Sequence, residues 1–266
     1  MCATCGCEGD GVAVITVGHL DRDHLHDHGH HEHGPGHEHE HSHEHALTTL
    51  TLEHKVLAKN DELATANRAR LRERGILALN MTSSPGAGKT TLIERTIREL
   101  DSVPVAVIEG DQATVLDAQR IEATGCKVVQ VNTGAGCHLD ADMMRRALDA
   151  LEPAPDSLLF VENVGNLVCP ALFDLGEAGK VVIVSVTEGT DKPLKYPHMF
   201  AAAELVLINK TDLLPYVDFD LERCEEYARS VNPGVTIVPV SATTGDGLAY
   251  WYDWLAARLT TGISKP

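Results

Sequence analysis

The stretch Ser83-Ser84-Pro85-Gly86-Ala87-Gly88-Lys89-Thr90 constrains this chain more than any other. An apolar run, Ile76-Leu77-Ala78-Leu79-Asn80-Met81, precedes it, and Thr91-Leu92-Ile93-Glu94-Arg95 follows as a helix start. Strand, glycine-rich loop, Gly-Lys-Thr and helix together form a cradle for nucleotide phosphates. Gly86 and Gly88 let the backbone bend so that N–H groups from Ser84 to Thr91, Ala87 among them, converge on the phosphates. The helix N-terminus adds a favourable dipole. Lys89 then reaches the β- and γ-phosphates, and Thr90 offers its hydroxyl to Mg²⁺. One residue departs from the pattern G-x-x-x-x-G-K-S/T: Ser83 stands where it begins with Gly.

Three later strand ends supply what a phosphate loop needs. Val105–Ile108 reads as a buried strand followed by Glu109-Gly110-Asp111-Gln112. Ligands of open α/β sheets sit past the carboxyl ends of strands, so Asp111 is a candidate Mg²⁺ or water contact on a switch loop. Its other reading is a cap on the helix entered at Asp117-Ala118-Gln119-Arg120. A second strand, Ser157 to Val161, ends in Glu162-Asn163-Val164-Gly165. Acid-x-x-Gly follows the D-x-x-G logic of GTPases, in which Glu162 holds the Mg²⁺ shell through water and the Gly165 N–H senses the γ-phosphate. A third, Leu205 to Ile208, delivers Asn209-Lys210-Thr211-Asp212. In N-K-x-D the Asp212 carboxylate accepts from guanine N1–H and the 2-amino group, while Asn209 and Lys210 brace the base and the phosphate loop. Adenine leaves such polar groups unpaired, so GTP is expected over ATP. Ser241-Ala242, after the last strand, is placed to contact the guanine O6. The expected catalytic set is Lys89, Asp111 and Glu162.

Thiols and imidazoles make a second theme. Cys2, Cys5 and Cys7 form C-x-x-C-x-C beside the terminal amine, a donor set suited to planar Ni²⁺ or tetrahedral Zn²⁺. Between His19 and His45 stand 12 of the 15 histidines, mostly alternating with Glu, Asp and Gly. With almost nothing apolar to bury, this tract is expected to be disordered and to bind Ni²⁺, Zn²⁺ or Cu²⁺ for storage or buffering. Cys137-His138, in the turn Gly134–Asp140, is half of a metal site. Cys169-Pro170, three residues beyond Asn166 on the γ-phosphate-sensing segment, offers the thiol that would join it. Cys126 and Cys224 read as structural.

The remaining pattern is a domain of alternating strands and helices: a P-loop α/β fold, with a mostly parallel sheet flanked by helices. Residues 1–45 form a disordered metal-binding segment and residues 46–266 the GTPase domain. Within it, residues 46–74 contribute one or two packing helices, and a closing helix near Gly247–Leu259 buries Trp251, Trp254 and Leu255. The loop Thr187–Pro197 carries Lys192 and Lys195, whose roles their residue types do not settle. A net charge of −17 with no basic stripe excludes a nucleic-acid partner. No apolar run reaches the length of a membrane span, and the N-terminus lacks a signal-peptide pattern. Seven cysteines, three of them in the first seven residues, suit metal chemistry in a reducing cytoplasm better than a disulfide framework.

Taken together, C-x-x-C-x-C, the histidine tract, S-x-P-G-A-G-K-T, G-C-H-L, E-N-V-G-N-L-V-C-P and N-K-T-D resemble the HypB family along the whole chain. These GTPases help insert nickel into NiFe-hydrogenases. The resemblance implies a SIMIBI-class P-loop fold that dimerises around GTP. It also implies a high-affinity nickel site at Cys2, Cys5 and Cys7, and a weaker Ni²⁺ or Zn²⁺ site at Cys137, His138 and Cys169. The partners it implies are a HypA-type nickel accessory protein, a SlyD-type metallochaperone and the hydrogenase large-subunit precursor. Two other readings use the same residues: a nickel store whose GTPase is incidental, and a urease accessory GTPase of the UreG family. The latter is expected to show C-P-H, whereas Ala171 follows Cys169-Pro170 here.

Overall fold

The computed structural model describes residues 14–17, 44–100, 103–111, 116–134 and 136–262. Cys2, Cys5, Cys7 and the histidines from His19 to His43 lie outside them. The described elements are β1 (Val14–Val17), α1 (Glu44–Glu73), β2 (Leu77–Ser83), α2 (Lys89–Glu99), β3 (Val105–Asp111), α3 (Leu116–Glu122), β4 (Lys127–Asn132) and α4 (Ala141–Leu151). After them come β5 (Leu158–Glu162), α5 (Cys169–Leu172), β6 (Gly179–Ser185), α6 (Lys192–Lys195), α7 (Pro197–Ala202) and β7 (Ala203–Asn209). A 3₁₀ turn (Thr211–Tyr216), α8 (Leu221–Val231), β8 (Thr236–Pro239) and α9 (Leu248–Gly262) complete the order.

The strands form one sheet in the order β1-β4-β3-β5-β2-β6-β7-β8. Every pairing is parallel except β1 on β4, which is antiparallel. The expected fold is therefore present, with one edge strand that the sequence left in the leader. Its central strands are continuous apolar runs because helices cover both faces, and alternate side chains are sorted to opposite sides. Leu79, Met81, Val107, Phe160 and Ile183 pack with Leu92 and Ile93 of α2, Ile121 of α3 and Trp251 of α9. On the other face Ile108, Val129 and Val161 meet Leu71 of α1 and Met144 and Leu148 of α4. Val184 and Ile208 of the same sheet meet Met199, Phe200, Cys224 and Ala228 from α7 and α8.

The region expected to hold one or two helices is a single helix, α1, which begins before Leu47 and takes in His45. It is tied down by buried amides. Asn67 Nδ2 donates to Ala141 O and Leu175 O, and Asn60 accepts from the Ala141 N–H while donating to Asp174 O. β3 runs further than the apolar pattern indicates and carries Glu109 and Asp111 within the strand. The loop read at Thr187–Pro197 contains α6 and the start of α7, each opened by a proline. Among the described residues, no helix is long and apolar enough to cross a membrane.

Candidate functional site

The carboxyl ends of β2, β3, β5 and β7 converge on the loop from Ser84 to Gly88. Gly88, with φ +101°, turns the chain into α2, and a Cβ there would stand 2.5 Å from Asn209 Nδ2. That conformation and that contact together demand glycine. Asn209 donates to Ala87 O (2.9 Å) and accepts from the Ala242 N–H (3.0 Å), and Lys210 Nζ donates to Gly86 O (2.7 Å). Asp212 accepts from Ser241 Oγ at 2.5 Å. The N-K-x-D residues and the Ser-Ala loop thus touch one another and the phosphate loop.

At the other end of the loop, Ser83 explains its own departure from glycine. Its hydroxyl accepts from Lys89 Nζ (3.0 Å) and donates to Ser84 O (2.6 Å), giving a buried ammonium a partner. Thr90 Oγ1 donates to Glu162 Oε1 (2.8 Å), and Lys89 Nζ lies 4.0 Å from the same oxygen. Glu162 Oε2 is buried without a hydrogen-bond partner among the described residues. Burial pushes this carboxyl upward, with Lys89 and Thr90 opposing. A hydroxyl beside a carboxylate with a spare buried oxygen fits Mg²⁺, a hard cation that takes oxygen donors.

Glu109 is the residue that the sequence reading missed here. It pairs in register with Glu162 across β3 and β5, and its Oε2 is also buried and unpartnered among the described residues. Burial first, and the neighbouring Glu162 next, push its carboxyl up to about 9. The missed signal was the period-two alternation, which continues from Val105 and Val107 to put Glu109 on the phosphate-loop face. Asp111 ends the same strand and receives the Thr133 N–H on its carbonyl (2.9 Å). The described residues of α3 begin at Leu116. Thr91 Oγ1 accepts from Arg120 (3.1 Å). Gly165 lies against the loop, where an added Cβ would meet Pro85 at 3.0 Å. Lys192, unassigned from sequence, donates to Ser84 Oγ (3.0 Å) and pairs with Glu188 (2.9 Å), whereas Lys195 pairs with Asp191 on the surface.

The second cluster lies one turn beyond Gly165. Cys137 Sγ is 2.8 Å from Cys169 Sγ and 3.5 Å from His138 Nδ1, and the three ligand atoms all lie within 4.8 Å of one another. Cys169 opens α5 and is buried, while the His138 ring packs on Phe173 with centroids 3.9 Å apart. Burial lowers the His138 pKa, with Asp140 opposing, which favours the neutral imidazole that a metal requires. Two thiols and an imidazole suit Ni²⁺ or Zn²⁺. Cys126 and Cys224 lie elsewhere, and burial pushes their thiols up to about 11 and about 12, in keeping with structural roles.

Residues 77–239 match the CobW/HypB/UreG nucleotide-binding domain. The hydrogenase maturation factor HypB of Escherichia coli K12 is 60% identical over 210 residues, covering 79% of this chain and 72% of that protein. The chain belongs to the HypB family. HypB of Azotobacter chroococcum is 58% identical over 217 residues, 80% of this chain and 71% of that one. The crystal structure of HypB from Archaeoglobus fulgidus superposes with a TM-score of 0.72 at 42% identity, covering 76% of this chain and 99% of that chain. HypB of Helicobacter pylori, crystallised in complex with nickel, gives 0.73 at 36% identity, covering 78% and 98%. The family is one of P-loop GTPases, in accord with the architecture of the loop, strand ends and helix described above.

Proposed function

We propose that this chain is a GTP-hydrolysing nickel chaperone that delivers nickel to the NiFe-hydrogenase large-subunit precursor in the cytoplasm, with the histidine tract as a nickel store. The observation that supports the reading is that Glu162, Gly165 and Cys169 share one short stretch of chain, which puts the residues assigned to the cation, the γ-phosphate and the soft metal close together. In this reading Ser84, Gly86, Ala87, Gly88, Lys89, Thr90 and Thr91 hold the phosphates, and Asn209, Lys210, Asp212, Ser241 and Ala242 hold guanine. Thr90 and Glu162, with Asp111, would hold Mg²⁺, which would neutralise charge developing on the phosphate oxygens. Lys89 leaves Ser83 for the β- and γ-phosphates, and Asp111 orients the attacking water. Water oxygen bonds to the γ-phosphorus as the bond to the β–γ bridging oxygen breaks, and GDP and phosphate leave.

Nickel is cargo. Cys2, Cys5 and Cys7 take it tightly, while Cys137, His138 and Cys169 hold Ni²⁺ or Zn²⁺ more weakly and under nucleotide control. A HypA-type accessory protein and a SlyD-type metallochaperone are the expected partners, and two copies assemble around GTP. The test is complementation of a host that lacks its own family member. The parent chain should restore hydrogenase activity at limiting nickel and Lys89→Ala should not, because the triphosphate loses its main counter-charge. Equal restoration by Lys89→Ala would overturn the reading.

A further inference from the structure

Two asparagines beyond Glu162 tie the γ-phosphate-sensing segment to the loop that bears Cys137 and His138. Asn163 is 1% exposed, and its Oδ1 accepts from two N–H groups, those of Val164 (3.0 Å) and Leu139 (3.2 Å). Its own N–H donates to Met81 O (3.0 Å) in β2, and its Nδ2 to Asn80 Oδ1 (3.2 Å). Asn163 is therefore pinned to the sheet, and it pins Leu139 in turn. Asn166, half-buried, lies past Gly165. Its Nδ2 donates to Cys137 O (3.2 Å), and its Oδ1 accepts from the Val168 N–H (2.9 Å), next to Cys169. His138 is the single residue between the two tie points.

Resting on the nickel-and-GTP reading above, we propose that Asn163 and Asn166 are positioning residues that convert a shift of Gly165 toward the γ-phosphate into a change of ligand geometry at Cys137, His138 and Cys169. A displaced Gly165 carries Asn166, and with it the Cys137 carbonyl and Cys169. Leu139 stays with Asn163 on the sheet, so the mismatch falls on His138 and on the spacing of its ligand atom from the thiols. The buried bonds of Asn163 make its end stiff, since breaking one leaves a polar group unsatisfied, while the half-buried Asn166 forms the end that follows Gly165. Without the ties Cys169 would still travel with Gly165, but Cys137 and His138 would be free to follow it, and the spacing of the three ligand atoms would change little. The tie is specific to the side chains, because Cys137 and Leu139 are held through their backbone groups and keep their own side chains for other work.

The experiment uses the full chain carrying Cys2, Cys5 and Cys7→Ala. Thiolate-to-nickel charge-transfer absorption then reports on Cys137 and Cys169, because the histidine tract has no thiol. Ni²⁺ affinity is measured with and without Mg²⁺ and a non-hydrolysable GTP analogue, and analogue affinity with and without Ni²⁺, since linkage must be reciprocal. The parent should show a nucleotide-dependent change of about 5- to 150-fold, the usual span of such couplings. Asn166→Asp keeps an acceptor for Val168, so the turn survives, and replaces the donor to the Cys137 carbonyl by a charged acceptor that cannot make that bond. Its coupling should collapse to within roughly twofold of unity, while nickel and nucleotide each still bind alone. Asn163→Ala should do the same by releasing Leu139. Undiminished coupling in both variants overturns this assignment and leaves the nickel-GTPase reading standing. Absence of coupling in the parent overturns the gated reading, and this inference with it.

Discussion

Gly88 is where the glycine-rich loop meets Asn209 of the N-K-T-D loop. Its φ of +101° and the 2.5 Å approach that a Cβ would make to Asn209 leave no room for a side chain. Gly88→Ala should weaken binding of a GTP analogue by about a hundredfold or more, read by fluorescence titration, because several contacts fail together. Asp212→Asn should narrow the preference for GTP over ATP, and an unchanged ratio of the two affinities would remove Asp212 from the base site. Glu109 gives a pH signature. Its folded-state value of about 9 lies above the ordinary 4.5, so the folded chain keeps a proton that the unfolded chain releases. Stability from this group is thus complete below the ordinary value and is lost as pH climbs toward 9. In metal-free protein Glu109→Gln should melt above the parent at pH near 8 and level with it near pH 4.5; parallel curves would exclude that role. The residues named by motif, Lys89, Thr90, Asn209 and Asp212, were legible because each sits at a fixed offset from glycine or strand end. Ser83, Glu109 and Lys192 were not, because their partners lie on other elements and only the fold brings them close.

Helices and strands differ in how plainly the chain announces them. The parallel strands were readable as apolar runs, since a sheet covered on both faces needs no polar alternation. Val14–Val17 was not, being a short edge strand inside a polar leader. α6 and α7, of four and six residues, are too short to show a helical period, although Pro193 and Pro197 mark their first turns. α1 reads as amphipathic, but nothing in its sequence reveals that Asn60 and Asn67 clamp Ala141 and Leu175 on the two sides of the soft-metal cluster. Asn67→Ala removes the buried donor shared by the Ala141 and Leu175 carbonyls and should cost about 1–3 kcal/mol in urea unfolding, with the midpoint shifted and the slope kept. α9 anchors the opposite face through Trp251, fully buried and donating to Thr96 Oγ1 (2.9 Å). Truncating it to Ala should cost about 3–5 kcal/mol by the same measurement.

At the scale of the molecule, the carboxyl ends of the parallel strands gather the predicted nucleotide residues and the cluster of Cys137, His138 and Cys169, and the histidine-rich leader is expected to act apart from them as many weak metal sites. Deleting residues 18–43 should lower nickel stoichiometry in equilibrium dialysis severalfold and leave affinity for a GTP analogue unchanged. A shift in that affinity would show that the leader touches the nucleotide domain. The bond from Asn209 to the Ala87 carbonyl has a further consequence. The side chain that anchors the base loop also sets the curvature of the phosphate loop, so a nucleotide with the wrong base does more than bind poorly. In the proposed site it would hold Asn209 away from one of its two partners, Ala87 O or Ala242 N–H, and so slacken the grip on the phosphates. An adenine nucleotide forced on at saturating concentration should therefore still turn over slowly, so that the fidelity of the fold is expressed in kcat as well as in occupancy.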